Sequence, residues 1–272
     1  VAGSKSYDER HASAAETFKR FAPDVEPERV AGALARRQGA LGSMAFDVVG
    51  AMWDRPELSR RDRSLLVISV LAAQARDEEL ELHTQNGLRH GLNAEEIEEI
   101  LLHVAAYAGY PAAMAASRRV DAGLRAGLGV DELPARTPAA RKSDAERDRD
   151  AADVLRGIAG VAGELDAATG LARMEARYGA VGATAYRWAF GEIWSREQLS
   201  RRDRSIVVIS ILIWLGASAE LAVHVPAGLR HGLTRVEIEE IVHHLALYAG
   251  IPRAIEAIGV VRQAFAKLDS AS

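Results

Sequence analysis

The 272-residue chain sets 34 lysines and arginines against 38 aspartates and glutamates, so no basic surface recommends nucleic acid or an anionic membrane as a partner. It has no cysteine, which removes disulfides, thiolate catalysis and every metal site built on sulfur, and leaves histidine and carboxylate as the available ligands. The composition, 49% hydrophobic and 26% charged, is that of a globular protein; the longest apolar run, residues 206–215, is far short of the roughly 20 residues that span a bilayer, no leader-like segment opens the sequence, and a cytoplasmic protein is expected.

In chain order the sequence is written twice. The segment from Trp53 to Pro111 returns from Trp194 to Pro252 at a constant offset of 141, with about 33 of 59 positions identical and no gap. Upstream, GALG at 39–42 answers GAVG at 179–182 after a one-residue slip, and ERHASAAE at Glu9 resembles ERDRDAAD at Glu146. This reads as a tandem duplication: a first unit over 1–133, a short linker carrying proline and charge over 134–142, and a second unit over 143–272.

Each unit reads as helix. Trp53 and Trp194 are core residues. Ser59 and Ser200, three residues before Asp62 and Asp203, resemble a capping box that opens a long apolar helix. Residues 65–71 and 206–212 are β-branched enough to pass for buried strands, but their length and caps favour helix. Gly91 and Gly232 fit left-handed C-caps, Asn93 with Glu96 and Thr234 with Glu237 repeat the N-cap pattern, and Pro111 and Pro252 open the last helix of each unit. The predicted architecture is all-α, two helical units packed as a pseudo-dimer.

Seven of the eight histidines lie in the repeated cores. Glu79 and His83 are four residues apart on one helical face, as are Glu220 and His224, a spacing that puts carboxylate against imidazole. Such a neighbour would raise the histidine pKa and orient the ring as a proton donor; an exposed surface ion pair is the plainer alternative. Between the copies Glu81 has become Ala222, Thr84 has become Val225 and Gln85 has become Pro226, while the Glu and His are kept. His103 with Tyr107, and His244 with Tyr248, form a second i,i+4 pair in an apolar stretch, either facing the same cavity or forming a satisfied core pair. His90 and His231 read as favourable charges at a helix C-terminus, and His243, opposite Leu102, as incidental.

Arg60, Arg61 and Arg63, mirrored by Arg201, Arg202 and Arg204, crowd a first helical turn where the dipole disfavours cations. Two readings stand: one of them holds a ligand carboxylate bidentately, or they pair with Asp62 and Asp203 across a helix contact. Glu79, His83 and His103 have the right atoms for a metal but no dense histidine motif, and no metal is assigned.

The order LSRRDRS, ELxxH, GLRHGL, EIEEI and YAGxP, present twice, resembles the carboxymuconolactone decarboxylase family over most of each unit. The wider superfamily includes the alkylhydroperoxidase D-like proteins, which resemble this chain in helical fold but carry a redox CxxC before a histidine. Here Glu79 and Glu220 fall where the second of those cysteines would be, with Arg76 and Ala217 at the first, so thiol peroxidase chemistry is excluded. The resemblance implies a decarboxylase that needs no metal or organic cofactor and acts on a small carboxylated lactone or β-keto-type acid. In its terms His83 and His224 donate the proton, Glu79 and Glu220 orient them, and Arg63 and Arg204 hold the anion. His103, Tyr107, His244 and Tyr248 are the weaker candidates for donors to the oxyanion. The family pattern is a single unit in a symmetric oligomer, so the fused pair implies a homo-oligomer, a trimer of fused pairs or a dimer. The alternatives are a cofactor-free isomerase or cyclase of an enolisable metabolite, and a non-catalytic ligand-binding or assembly protein.

Overall fold

The structure is a computed structural model and describes residues 6–21, 23, 25–160 and 166–271. Among the described residues the chain is helical with no strand, and no helix is long and apolar enough to cross a membrane. The first copy supplies α1 (Tyr7–Phe21), α2 (Pro27–Gln38), α3 (Ala40–Trp53), α4 (Arg60–Gln74), α5 (Asp77–Arg89), α6 (Ala94–Tyr107) and α7 (Tyr110–Leu128). After the non-helical residues 130–143 come α8 (Asp144–Ala159), α9 (Ala167–Tyr178), α10 (Ala180–Thr184) and a π-helical segment (Ala185–Trp194). The chain ends with α11 (Arg201–Leu215), α12 (Ser218–Arg230), α13 (Arg235–Leu245) and α14 (Ile251–Ala271).

Several of the predicted caps are present, Ser200 with one of the two bonds of a capping box. Asn93 with Glu96 and Thr234 with Glu237 form reciprocal capping boxes, Ser200 accepts from the Asp203 amide, and Gly91 and Gly232 adopt φ of 98° and 101°. Helices α4 and α11 are buried on nearly every face, which is why their sequences show no polar stripe.

Compactness divides the chain at Arg60 and Arg61, whereas the sequence repeat divides it at the linker. In the body of residues 1–60, Phe18 stacks on Phe46 at 4.5 Å and Phe21 meets the edge of Trp53 at 4.9 Å. Gly50 lets α3 touch α1: a Cβ there would lie 2.2 Å from the Ala14 Cα. His11 ties α1 to its neighbours through Asp47 at 2.9 Å and Glu28 at 3.2 Å.

The body of residues 61–272 holds the core helices of both copies, interlocked as two halves of a symmetric dimer would be. Arg61 reaches Asp203 at 2.9 Å and Glu96 at 2.5 Å, while Arg202 reaches Asp62 with two bonds of 3.1 and 2.9 Å and also Glu237. Residue i of one copy meets residue j of the other and the reverse, the signature of a two-fold contact. The second of the two readings of the arginine cluster therefore holds for Arg61 and Arg202.

Two local features separate the copies. Gly42 and Trp53 are eleven positions apart, Gly182 and Trp194 twelve, and the second copy absorbs this extra residue as the π-helical stretch that ends on Trp194. A single insertion inside a helix widens its turns in this way, often beside a functional site. Conversely, Ala75 sits at φ 55° where the second copy has Gly216 at φ 68°. The left-handed region costs an alanine about 1 kcal/mol, so Ala75→Gly is expected to raise the free energy of urea unfolding by about 0.5–1 kcal/mol.

Candidate active site

Helix α6 carries Glu99, His103 and Tyr107, one turn apart, and its capping box fixes where that face begins. Helix α11 brings Arg204 against it, α12 brings His224, and the π-helical segment delivers Trp194 between the two histidine rings. The cluster draws on both copies. Arg204 is fully buried and donates to Glu99 at 3.0 Å, His103 Nε2 at 2.9 Å, Leu199 O at 3.0 Å and Arg196 O at 2.8 Å. Arg196 closes the far side by donating to Glu99 at 2.6 Å. A buried guanidinium and carboxylate hold one another this way because either alone would be too costly to desolvate.

Hydrogen-bond direction assigns the rings. Trp194 Nε1 can only donate, and it does so to the Tyr107 hydroxyl at 3.0 Å, which lies 3.4 Å from His224 Nε2. In the tautomer where His224 Nε2 accepts the Tyr107 proton, Nδ1 carries the ring hydrogen. His103 accepts from Arg204 on Nε2 and likewise carries its hydrogen on Nδ1. Both Nδ1 atoms are buried and have no hydrogen-bond partner among the described residues, on residues 6% and 0% exposed.

Burial decides the protonation. It lowers the His224 pKa from the ordinary 6.5 to about 4, with the charge of His231 a lesser cause. His103 is held well below its usual range by burial and then by Arg204. Burial pushes the Tyr107 hydroxyl upward. The site thus presents neutral groups.

A counterpart lies around α13. Arg63 donates to His244 Nδ1 at 2.8 Å and pairs with Glu240 at 2.9 Å; His244 stacks on Tyr248 at 5.6 Å, and Tyr248 meets the edge of His83 at 5.8 Å. Burial also lowers His83 to about 4. Gln74 donates to Tyr248 O at 2.8 Å, a bond for which the second copy, with Leu215, has no side chain.

The structure brings together most of the sequence-predicted residues and revises several roles. His83 meets Tyr248, and His224 meets Tyr107, each from the opposite copy. Glu79 and Glu220, however, are exposed, and no ion pair joins either to its histidine among the described residues. The expected upward shift is therefore a downward one, because burial, followed by the charge of His90 on His83 and of His231 on His224, sets it. Arg63 and Arg204 are engaged with Glu240 and Glu99. His231 is no cation at a helix end: burial, Arg201 and Arg230 bring it to about 4, and its Nδ1 is bonded to Ser205 at 2.8 Å. No group of three or more His, Asp or Glu able to hold a metal occurs among the described residues.

Sequence reasoning placed Trp194 in the core, where it is fully buried, without its bond to Tyr107, and it missed the glutamates Glu99 and Glu240. The signal for these was present, since each stands four residues before its histidine within EIEEI, but that motif also reads as an exposed face.

Comparison with known proteins gives a consistent picture. The model of the carboxymuconolactone decarboxylase family matches residues 32–122 and 180–263, one match in each copy and together well over half of the chain. A 4-carboxymuconolactone decarboxylase of Acinetobacter baylyi is 40% identical over 82 residues, 30% of this chain and 61% of that protein. A nitrosuccinic acid decarboxylase of Metarhizium robertsii is 38% identical over 76 residues, 28% of this chain and 53% of that protein. The matched segment thus spans less than two thirds of either relative's length.

Proposed function

The chain belongs to the carboxymuconolactone decarboxylase family, and on that premise we propose that it is a carboxy-lyase acting on a small acid whose carboxylate lies beside an electron-accepting group. The names of the two relatives support this substrate class: one acid carries a lactone and the other a nitro group, each able to accept the electron pair that the departing carbon dioxide leaves behind.

The observation that carries the proposal is the buried Nδ1 of His224, with Tyr107 and Trp194 fixing the opposite edge of the ring. An anionic substrate entering this low-dielectric site would favour the imidazolium, so the ring takes up a proton as the acid binds. The carbon–carboxylate bond then breaks, its electron pair moves into the acceptor group, and the imidazolium returns its proton to carbon. The balance is one carboxylate and one proton giving one protonated product and one carbon dioxide. His103 Nδ1–H supports the developing oxyanion, and the neutral ring is restored at the end. His83, Tyr248 and His244 supply the same set in the counterpart site, without the carboxylate support first expected of Glu79 and Glu220.

No step calls for a metal or an organic cofactor. The reading also has the chain assemble with further copies: Tyr110 and Met114 on α7, and Ile251 and Ile255 at the equivalent positions of α14, are 62–66% exposed, an arrangement suited to a repeated contact that light scattering would detect.

The test is mass-spectrometric product analysis after incubation with carboxylated lactones, β-keto acids and nitro acids. Loss of carbon dioxide that depends on His224 or His83 is the expected result. Mass-neutral conversion would replace the lyase reading with an isomerase or cyclase.

A further inference from the structure

The two longest exact repeats of the sequence meet at a pair of side chains that the proposed chemistry leaves unused. LSRRDRS ends on Ser64 and Ser205, GLRHGL carries His90 and His231, and in each copy the serine hydroxyl lies 2.8 Å from the histidine Nδ1. Both serines are buried, at 0% and 1% exposure. Ser69 and Ser210, farther along the same two helices, donate back to Leu65 O and Ile206 O, whereas Ser64 and Ser205 meet a ring on the next helix. A buried hydroxyl and a buried imidazole edge are each costly without a partner, so the bond fixes the ring in a way that apolar packing would not.

His231 stands behind the second-copy site. Its ring centre lies 5.9 Å from that of Trp194, the tryptophan that stacks on His224 at 5.8 Å and meets the edge of His103 at 5.2 Å. On its other side, a Cβ added to Gly157 of α8 would come within 3.3 Å of His231 Nε2, so glycine there leaves the ring its room. The charged groups that act on His231 are Arg201 of α11 and Arg230 of its own helix, and after burial they keep the ring neutral. A neutral ring leaves His224 free to take the one proton the chemistry uses, while a charged one would oppose it. The same charge relation joins His90 to His83.

We propose that His231 is a positioning residue of the second-copy site: anchored by Ser205, its ring backs Trp194 and so holds the Trp194–Tyr107 bond and the His224 ring in place. His90 on Ser64 is the corresponding residue for His83. The inference rests on the decarboxylase reading only in what the positioned ring is for; the anchoring is a property of the free chain. It also gives the identity of the two motifs a physical reason, since Ser and His are kept as a bonded pair while residues 84 and 85 between them have changed from Thr and Gln to Val and Pro.

The experiment is NMR of the full chain, following the Trp194 indole N–H and the His224 titration in wild type, Ser205→Ala, His231→Leu, the double variant and His231→Asn. Ser205→Ala and His231→Leu should each displace the Trp194 signal and raise His224 from about 4 by about 0.5 pH unit or more, because a loosened tryptophan admits water to the ring. The double variant should do little more than His231→Leu alone, since the serine acts through the histidine. His231→Asn, whose amide can still meet the Ser205 hydroxyl, should lie between His231→Leu and wild type, and it decides the matter if the leucine variant fails to fold. Turnover of any acid that wild type decarboxylates should fall about 10-fold in Ser205→Ala, with its pH profile following the His224 titration. Wild-type Trp194 and His224 signals in the variants, with only a lower melting temperature, would overturn the positioning role, as would additive effects in the double variant. Displaced signals in a chain that decarboxylates no acid would keep the role and remove the decarboxylase reading; turnover and signals both indifferent to Ser205→Ala would do the reverse.

Discussion

Replacing His224 by glutamine is expected to lower decarboxylation turnover by about 10²- to 10⁴-fold, the usual worth of a positioned proton donor, with helical content unchanged. Glutamine keeps a hydrogen-bonding group against Tyr107 but cannot carry the proton from binding to product. Tyr107→Phe should have a smaller effect, about 10-fold, because it leaves the imidazole in place and removes only the hydroxyl that fixes which nitrogen bears the hydrogen. The two variants separate the donor from the group that positions it. In Tyr107→Phe the pH profile should move, since its partner has changed, and in His224→Gln little activity should remain at any pH. Unchanged turnover in His224→Gln with both acids and lactones would remove the second-copy site from the reaction.

The companion variant His83→Gln asks which copy works. The second-copy site has a feature its counterpart lacks: the π-helical segment that sets Trp194. The first-copy site has instead the Gln74 bond to the Tyr248 backbone, which ties down a residue that Leu215 leaves alone. These differences favour His224 as the dominant donor, so His83→Gln should retain most of the turnover that His224→Gln loses. A reversed order of the two losses would assign the chemistry to the first copy.

Much of this arrangement was legible in the sequence because it is local. Caps such as Asn93 with Glu96, glycines such as Gly91 and the repeat itself depend on residues a few positions apart. The fate of Glu79 and Glu220 was not legible, because i,i+4 spacing shows that two side chains can meet and not whether either is buried. His224 is packed between Tyr107 of the other copy and Trp194 of its own, and its burial reverses the sign of the pKa shift. The same holds for Arg204, whose partner Glu99 is 105 residues away. The one-residue slip between GAVG and Trp194 was visible as an alignment shift, but only the helix shows that the extra residue is taken up as π turns leading into the site.

Acidification is expected to destabilise the body of residues 61–272 well before its carboxylates titrate. His83, His224 and His231 each fall from 6.5 to about 4 in the folded chain, so between those values the unfolded chain binds protons that the folded chain refuses. For a base with a depressed folded pKa, stability is complete above 6.5 and declines as the pH falls toward 4. At about 1.4 kcal/mol per pH unit, the buried His224 ring contributes at most about 3 kcal/mol to that loss, and the part-exposed His83 and His231 rings less. His11, in the body of residues 1–60, works with the opposite sign: its hydrogen bonds to Asp47 and Glu28 raise its pKa, so its contribution is present at low pH and is lost as pH rises through the raised value. Thermal melts followed from pH 7.5 to 4 should therefore fall steeply below pH 6.5. His224→Gln should flatten that fall, because it removes one of the rings that refuse the proton. A melting temperature constant down to pH 5 would mean that the three histidines are solvated and take up protons in the native chain as they do in the unfolded one. The neutral, water-excluded site from which the proposed proton uptake starts would then be lost with them.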